Sequence, residues 1–117
     1  MVSSDPHREL VRVAEGSGPG AASGKAALGG GPVAARVRAA ILALARHRGP
    51  DSSICPSDAA RAVGGDDWRD LTEQSRSIAF ELARAGDVQI TQRGAVVDPE
   101  RQPPGPIRIR ATGADES

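Results

Sequence analysis

Hydrophobic residues recur at helical spacing from Pro32 to about Arg48, which predicts the first well-defined helix of the chain. Apolar side chains follow one another there in steps of three and four residues, at Val33, Val37, Ala40, Ile41 and Leu44. Gly49 and Pro50 end the helix. Its charged residues are all arginines. We interpret them as a solvated face, whose C-terminal members interact favourably with the helix dipole, rather than as a phosphate-binding face.

Two further helical patterns follow at once. The second helix begins after Cys55, with Pro56 at its first position, and ends at Gly64–Gly65. Asp66 or Asp67 caps the third helix, which ends at Ala85–Gly86. Its apolar stripe is Trp68, Leu71, Ile78, Ala79 and Leu82, and Ser75 completes the spacing. We expect Trp68 and Leu82 to lie in the core.

A β-hairpin is predicted directly after the third helix. Val88 and Ile90 alternate with polar neighbours, residues 92–94 turn the chain and residues 95–97 return it. After a proline-rich stretch, Ile107–Arg110 alternates apolar and basic residues, as a strand with one buried face would. Residues 52–54 form a short extended piece. The pattern therefore predicts a mainly α fold with a small β-hairpin: a winged helix-turn-helix of three helices, a hairpin wing and a C-terminal strand.

Composition changes sharply at the N-terminus. Residues 1–31 contain seven of the fourteen glycines and few bulky apolar side chains. We predict that this segment is a disordered tail, with a helical turn or two over Arg8–Glu15 at most, and that it is removable with little loss of stability. The folded domain is predicted to cover residues 32–112, and residues 113–117 to be a disordered C-terminus.

Charge and cysteine content limit the chemistry of the chain. Fifteen basic residues balance fifteen acidic ones, so the chain lacks the strongly basic character of many nucleic-acid-binding proteins. The single cysteine allows no intrachain disulfide, and His7 and His47 lack metal-ligand spacing. No signal peptide or membrane span is recognisable. We expect a cytoplasmic protein without metal or cofactor.

Cys55 is the residue that suggests nucleophilic catalysis. It stands at a helix start, and His47 lies eight residues earlier. No orienting third group or oxyanion-binding loop is recognisable, which favours a buried structural cysteine over an enzyme. We predict no catalytic residues.

The third helix carries the candidate binding residues. On a helical wheel Arg69, Arg76, Phe80 and Arg84 cluster opposite the apolar stripe. This face has three interpretations: an ordinary solvated face, a DNA contact through the arginines, or a protein interface anchored by Phe80. Six acidic residues stand against three arginines between Asp66 and Asp87, which opposes phosphate binding.

Arg93 at the hairpin tip is the remaining candidate. A wing arginine can enter a DNA minor groove, although Gln-Arg-Gly is also an ordinary soluble turn. Arg108 and Arg110 share one face of the last predicted strand. They either extend a basic strip or protect a sheet edge from aggregation, and we favour the second interpretation.

Five ordered motifs make the chain similar to a known family. They are Ser53–Ser57, Trp68–Arg69, Val88–Gly94, Val97–Pro99 and Gly105–Arg110. Together they resemble the bacterial family named domain of unknown function 3253, over about Arg36 to Arg110. The resemblance implies a compact winged-helix-like fold and no established activity. This chain departs from the family pattern at Glu73, Ser75 and Glu81 of the third helix, which weakens a DNA-binding inference.

We therefore expect a winged-helix module that binds double-stranded DNA through Arg69, Arg76, Arg84 and Arg93. The alternative is a protein-interaction module of the same fold with Phe80 as its anchor.

Overall fold

The computed structural model describes residues 6–16, 18, 20–49 and 51–112. This part of the chain is mainly helical and contains a small three-stranded antiparallel sheet. Its α-helices are α1 (Pro6–Glu15), α2 (Ala21–Leu28), α3 (Val33–Arg48), α4 (Pro56–Gly64) and α5 (Thr72–Arg84), and a 3₁₀ helix (Gly65–Leu71) joins α4 to α5. The strands are β1 (Val88–Gln92), β2 (Ala95–Val96) and β3 (Arg108–Ala111).

The predicted starts and ends of α3 and α4 are confirmed. Gly49 follows α3 with φ 82°, a backbone conformation that favours glycine, and donates its N–H to Ala45 at 3.0 Å. Pro56 is the first residue of α4, and the backbone N–H of Cys55 donates to the Asp58 carboxylate at 2.9 Å. This local hydrogen bond fixes the helix start in the way that a capping box does.

The third predicted helix is interrupted, because its first two turns form the 3₁₀ helix. A 3₁₀ helix repeats every three residues, so its side chains fall out of phase with those of α5. Trp68 is therefore half-buried outside the core, with the guanidinium carbons of Arg61 and Arg69 at 4.4 and 4.6 Å from its ring centroid. The prediction that Trp68 belongs to the core is wrong.

The predicted hairpin and C-terminal strand are confirmed. β1 pairs with β2 through a two-residue turn at Arg93–Gly94, and β3 lies antiparallel on the other side of β1. Ile54 and Ile109 exchange two backbone hydrogen bonds of 2.7 Å, so the extended piece before α4 pairs with β3. Ile107 and Ile109 are buried and bring the C-terminal strand back onto the core.

One core joins all the helices to one face of the sheet. Its fully buried large side chains are Leu10, Val37, Ile41, Leu44, Ile54, Phe80, Leu82, Ile90 and Ile109. Leu42, on the side of α3 away from the main stripe, is partly buried against this core.

The prediction of a disordered segment over residues 1–31 is wrong wherever those residues are described. α1 and α2 contact each other and α3, and both Leu10 and Ala27 are completely buried. Two glycines that suggested flexibility instead allow close packing. A Cβ on Gly20, whose φ is +89°, would lie 2.6 Å from the Ala43 carbonyl oxygen, and one on Gly24 would lie 3.1 Å from the Ala14 nitrogen. The predictions for residues 1–5 and 113–117 fall outside the described residues.

Polar contacts hold these two helices in place. Arg48 donates two hydrogen bonds to the Glu9 carboxylate, at 2.7 and 3.0 Å, and Arg36 donates to the Ala27 carbonyl at 3.0 Å. His7 Nδ1 donates to the Ala62 carbonyl of α4 at 2.9 Å. Two arginines that the sequence pattern assigned to a solvated face of α3 thus bind the N-terminal helices.

Candidate nucleic-acid interface

The four arginines predicted to bind DNA differ in exposure and in the contacts that they form. Arg84, in the last turn of α5, and Arg93, at the tip of the β1–β2 hairpin, are exposed and form no hydrogen bond or ion pair with the described part of the chain. Arg69 lies over the ring of Trp68. Arg76 is half-buried and hydrogen-bonded, so of these four arginines Arg84 and Arg93 are the two without a hydrogen bond, ion pair or ring contact in the described part of the chain.

Arg76 binds the proline-rich segment that follows the hairpin. We call residues 88–97 the wing hairpin and residues 98–107, which connect it to β3, the return arm. Arg76 Nη1 donates to the Gly105 carbonyl at 2.7 Å, and Nη2 donates to the Pro103 carbonyl. A guanidinium committed to two carbonyls in this way is not a ready phosphate ligand.

Gln92 completes these contacts from the wing hairpin. Its Nε2 donates to the Pro104 carbonyl at 2.8 Å and to the Pro106 carbonyl at 3.2 Å. Two side chains, one on α5 and one on β1, therefore bind four successive carbonyls of the return arm. Sequence reasoning missed Gln92, and the only available signal was a polar residue near a run of prolines, which lack backbone donors.

Phe80 does not lie on an exposed face. Its side chain is 1% exposed, and the Arg76 guanidinium carbon lies 5.5 Å from its ring centroid. The helical wheel assumed one buried side, but α5 packs against α3 and α4 and also against β1. The prediction of Phe80 as an interface anchor is wrong, and the protein-interaction alternative loses that anchor.

The turn of the wing hairpin places Arg93 in an unusual backbone conformation. Arg93 has φ 55° and Gly94 has φ 85°, which corresponds to the two-residue type I′ turn. The first central position of this turn favours Asn, Asp or Gly, and a longer side chain there costs about 1 kcal/mol. The guanidinium extends into solvent at the outermost point of the hairpin.

The solvent face of α5 carries more acidic than basic side chains. Its exposed residues are Glu73, Gln74, Ser77, Glu81 and Arg84. The 3₁₀ helix before it exposes Asp66, Asp67 and Asp70 beside Arg69. These five exposed carboxylates repel a phosphate backbone, so α5 is poorly suited to lie deep in a DNA groove.

Arg108 and Arg110 are on the same face of β3, as predicted, and both have partners. Arg108 donates from Nε to Ser53 Oγ at 2.9 Å and from Nη1 to Cys55 Sγ at 2.8 Å. Arg110 donates to Gln89 Oε1 at 2.8 and 2.9 Å. Cys55 is half-buried rather than fully buried, and it is the N-cap residue of α4.

The groups with shifted pKa values lie away from the candidate interface, in an ion pair between α1 and α3. The hydrogen-bonded Arg48 guanidinium lowers the pKa of Glu9, and Glu9 in turn raises the pKa of Arg48. This ion pair joins α1 to α3.

Among the described residues no three His, Cys, Asp or Glu side chains are close enough to hold a metal ion, and no helix is long and apolar enough to cross a bilayer.

Comparison with known proteins identifies the family. The family model described as Protein of unknown function (DUF3253) matches residues 34–112, more than half of the chain, and the chain belongs to this family. The match begins within the first turn of α3, so α1 and α2 precede it. No curated protein matches the chain.

Proposed function

We propose that this protein is a winged helix-turn-helix module that binds double-stranded DNA chiefly through its wing hairpin. The order of elements supports this. α3 is followed by the extended residue Ile54, by α4, by the 3₁₀ helix with α5, and then by β1, the wing hairpin and β3. Ile54 pairs with β3, and β3 pairs with β1, so the segment before α4 joins the sheet that carries the hairpin, which supports the proposal.

Arg93 is the observation that carries the proposal. It adopts an unfavourable backbone conformation, and its side chain forms no hydrogen bond, ion pair or ring contact with the described part of the chain. Strained residues without a structural role concentrate at functional sites. An arginine at the tip of a narrow hairpin has the length and charge to enter a minor groove, where the negative potential is strongest.

The acidic face of α5 determines how the module docks. Glu73 and Glu81 oppose deep insertion of α5, whereas the wing hairpin carries Arg93 and no acidic residue. Arg84 ends α5 and can add a phosphate contact at the edge of the interface. The wing therefore leads the contact, and α5 stays at the rim of the groove.

Substitution of Arg93 by asparagine tests the proposal directly. Asparagine favours the type I′ turn, so Arg93→Asn should leave the hairpin at least as stable while it removes the guanidinium. In titrations of a labelled duplex at several salt concentrations, we expect weaker binding and a salt dependence that is lower by about one unit in slope.

The matched control is Arg38→Asn, because Arg38 is an exposed arginine of α3 that forms no hydrogen bond or ion pair within the described chain. It removes the same charge without changing the wing hairpin. Overlapping binding curves for wild type and Arg93→Asn at low salt would refute the proposal. Equal losses for Arg93→Asn and Arg38→Asn would show that net charge alone governs binding.

A further inference from the structure

Among the described residues, the hydrogen bonds that connect the return arm to α5 and to β1 come from two side chains. Arg76 donates to the carbonyls of Pro103 and Gly105, and Gln92 donates to those of Pro104 and Pro106. Three of these four residues are prolines without an N–H group, so no backbone ladder can replace these contacts. Arg76 lies on α5, and Gln92 lies directly before the turn residue Arg93.

We propose that Arg76 and Gln92 are positioning residues that hold the wing hairpin at a set angle to α5 through the return arm. This inference rests on the proposed function, since the angle matters for how Arg93 meets DNA. Preorganisation of a binding element lowers the entropic cost of binding. The two residues therefore affect DNA binding without contacting DNA.

Gly105 supports the same arrangement. Its φ is +96°, and a Cβ at this position would lie 3.2 Å from Gln92 Nε2. A side chain here would crowd the amide that binds Pro104 and Pro106. Gly105→Ala is thus a second way to loosen the return arm, and it changes neither a charge nor a donor.

Limited trypsin digestion of the full chain reports on the return arm independently of DNA. Arg101 lies in the return arm, and Arg93 in the hairpin turn provides an internal reference site. We expect Gln92→Ala, Gly105→Ala and Arg76→Lys to accelerate cleavage after Arg101 roughly tenfold relative to cleavage after Arg93. Lysine keeps the charge of Arg76 but cannot bind two carbonyls as a planar fork.

The controls are Gln74→Ala and Arg38→Lys, which change exposed residues without hydrogen bonds or ion pairs among the described residues. Both should be cleaved like wild type. Unchanged cleavage after Arg101 in Gln92→Ala and Gly105→Ala would overturn the proposal. Urea unfolding of each variant identifies any acceleration that comes from global destabilisation, which would also overturn it.

A double-mutant cycle connects the return arm to DNA binding. Gln92 carries no charge, so Gln92→Ala should weaken duplex binding roughly threefold to tenfold with an unchanged salt slope. In the Arg93→Asn background the same substitution should have no effect, because the residue that it positions is absent. An equal loss in both backgrounds would refute the positioning role. Wild-type affinity in Arg93→Asn would refute the proposed function instead. The trypsin assay would still test whether Arg76 and Gln92 hold the return arm, because it does not involve DNA.

Discussion

Replacement of Leu10 by alanine tests whether the N-terminal helices belong to the fold. Leu10 is completely buried in α1, which contacts α2, α3 and α4. Leucine-to-alanine substitutions in cores cost roughly 2–5 kcal/mol, from lost burial and from the cavity that remains. We therefore expect Leu10→Ala to lower the free energy of unfolding by about 3 kcal/mol.

Urea unfolding of the full chain, followed by far-ultraviolet circular dichroism, measures this loss. Val33→Ala is the matched control, because Val33 is 43% exposed on α3 and its truncation should cost less than about 1 kcal/mol. Equal unfolding midpoints for wild type and Leu10→Ala would contradict the packing of α1. Removal of residues 1–28 should destabilise at least as strongly as Leu10→Ala, in contrast to the expectation from composition.

Three further predictions concern single side chains. Glu9→Gln should lower stability by about 1 kcal/mol near neutral pH, and more than Glu15→Gln. Since Arg48 depresses the pKa of Glu9, this difference should be present above the ordinary glutamate range and disappear as pH falls through the lowered pKa, which denaturant unfolding at several pH values measures. Phe80→Ala should cost roughly 3–5 kcal/mol in thermal or urea unfolding, and a loss below about 1 kcal/mol would contradict its burial. Ser75→Ala should raise stability by about 1 kcal/mol, because the buried Ser75 hydroxyl has no hydrogen-bond partner in the described chain; clear destabilisation would show that a partner exists.

Features set by neighbouring residues were predictable from the sequence. The start of α4 depends on Cys55, Pro56 and Asp58, which lie within one helical turn of each other. The wing hairpin depends on alternation in β1 and on the Arg93–Gly94 turn. In each case the determining contacts span only a few residues, so local preferences and the final structure agree.

Features that depend on distant partners were decided by tertiary structure. Arg48 binds Glu9 39 positions away, and Arg76 binds Gly105 29 positions away, which no local pattern encodes. The same holds for Phe80, since a helical wheel shows the periodicity of α5 but not how many of its sides are covered. Glycine is compatible with both flexibility and close packing. The sequence alone therefore could not show that Gly20 and Gly24 allow α2 to pack closely against α3 and α1.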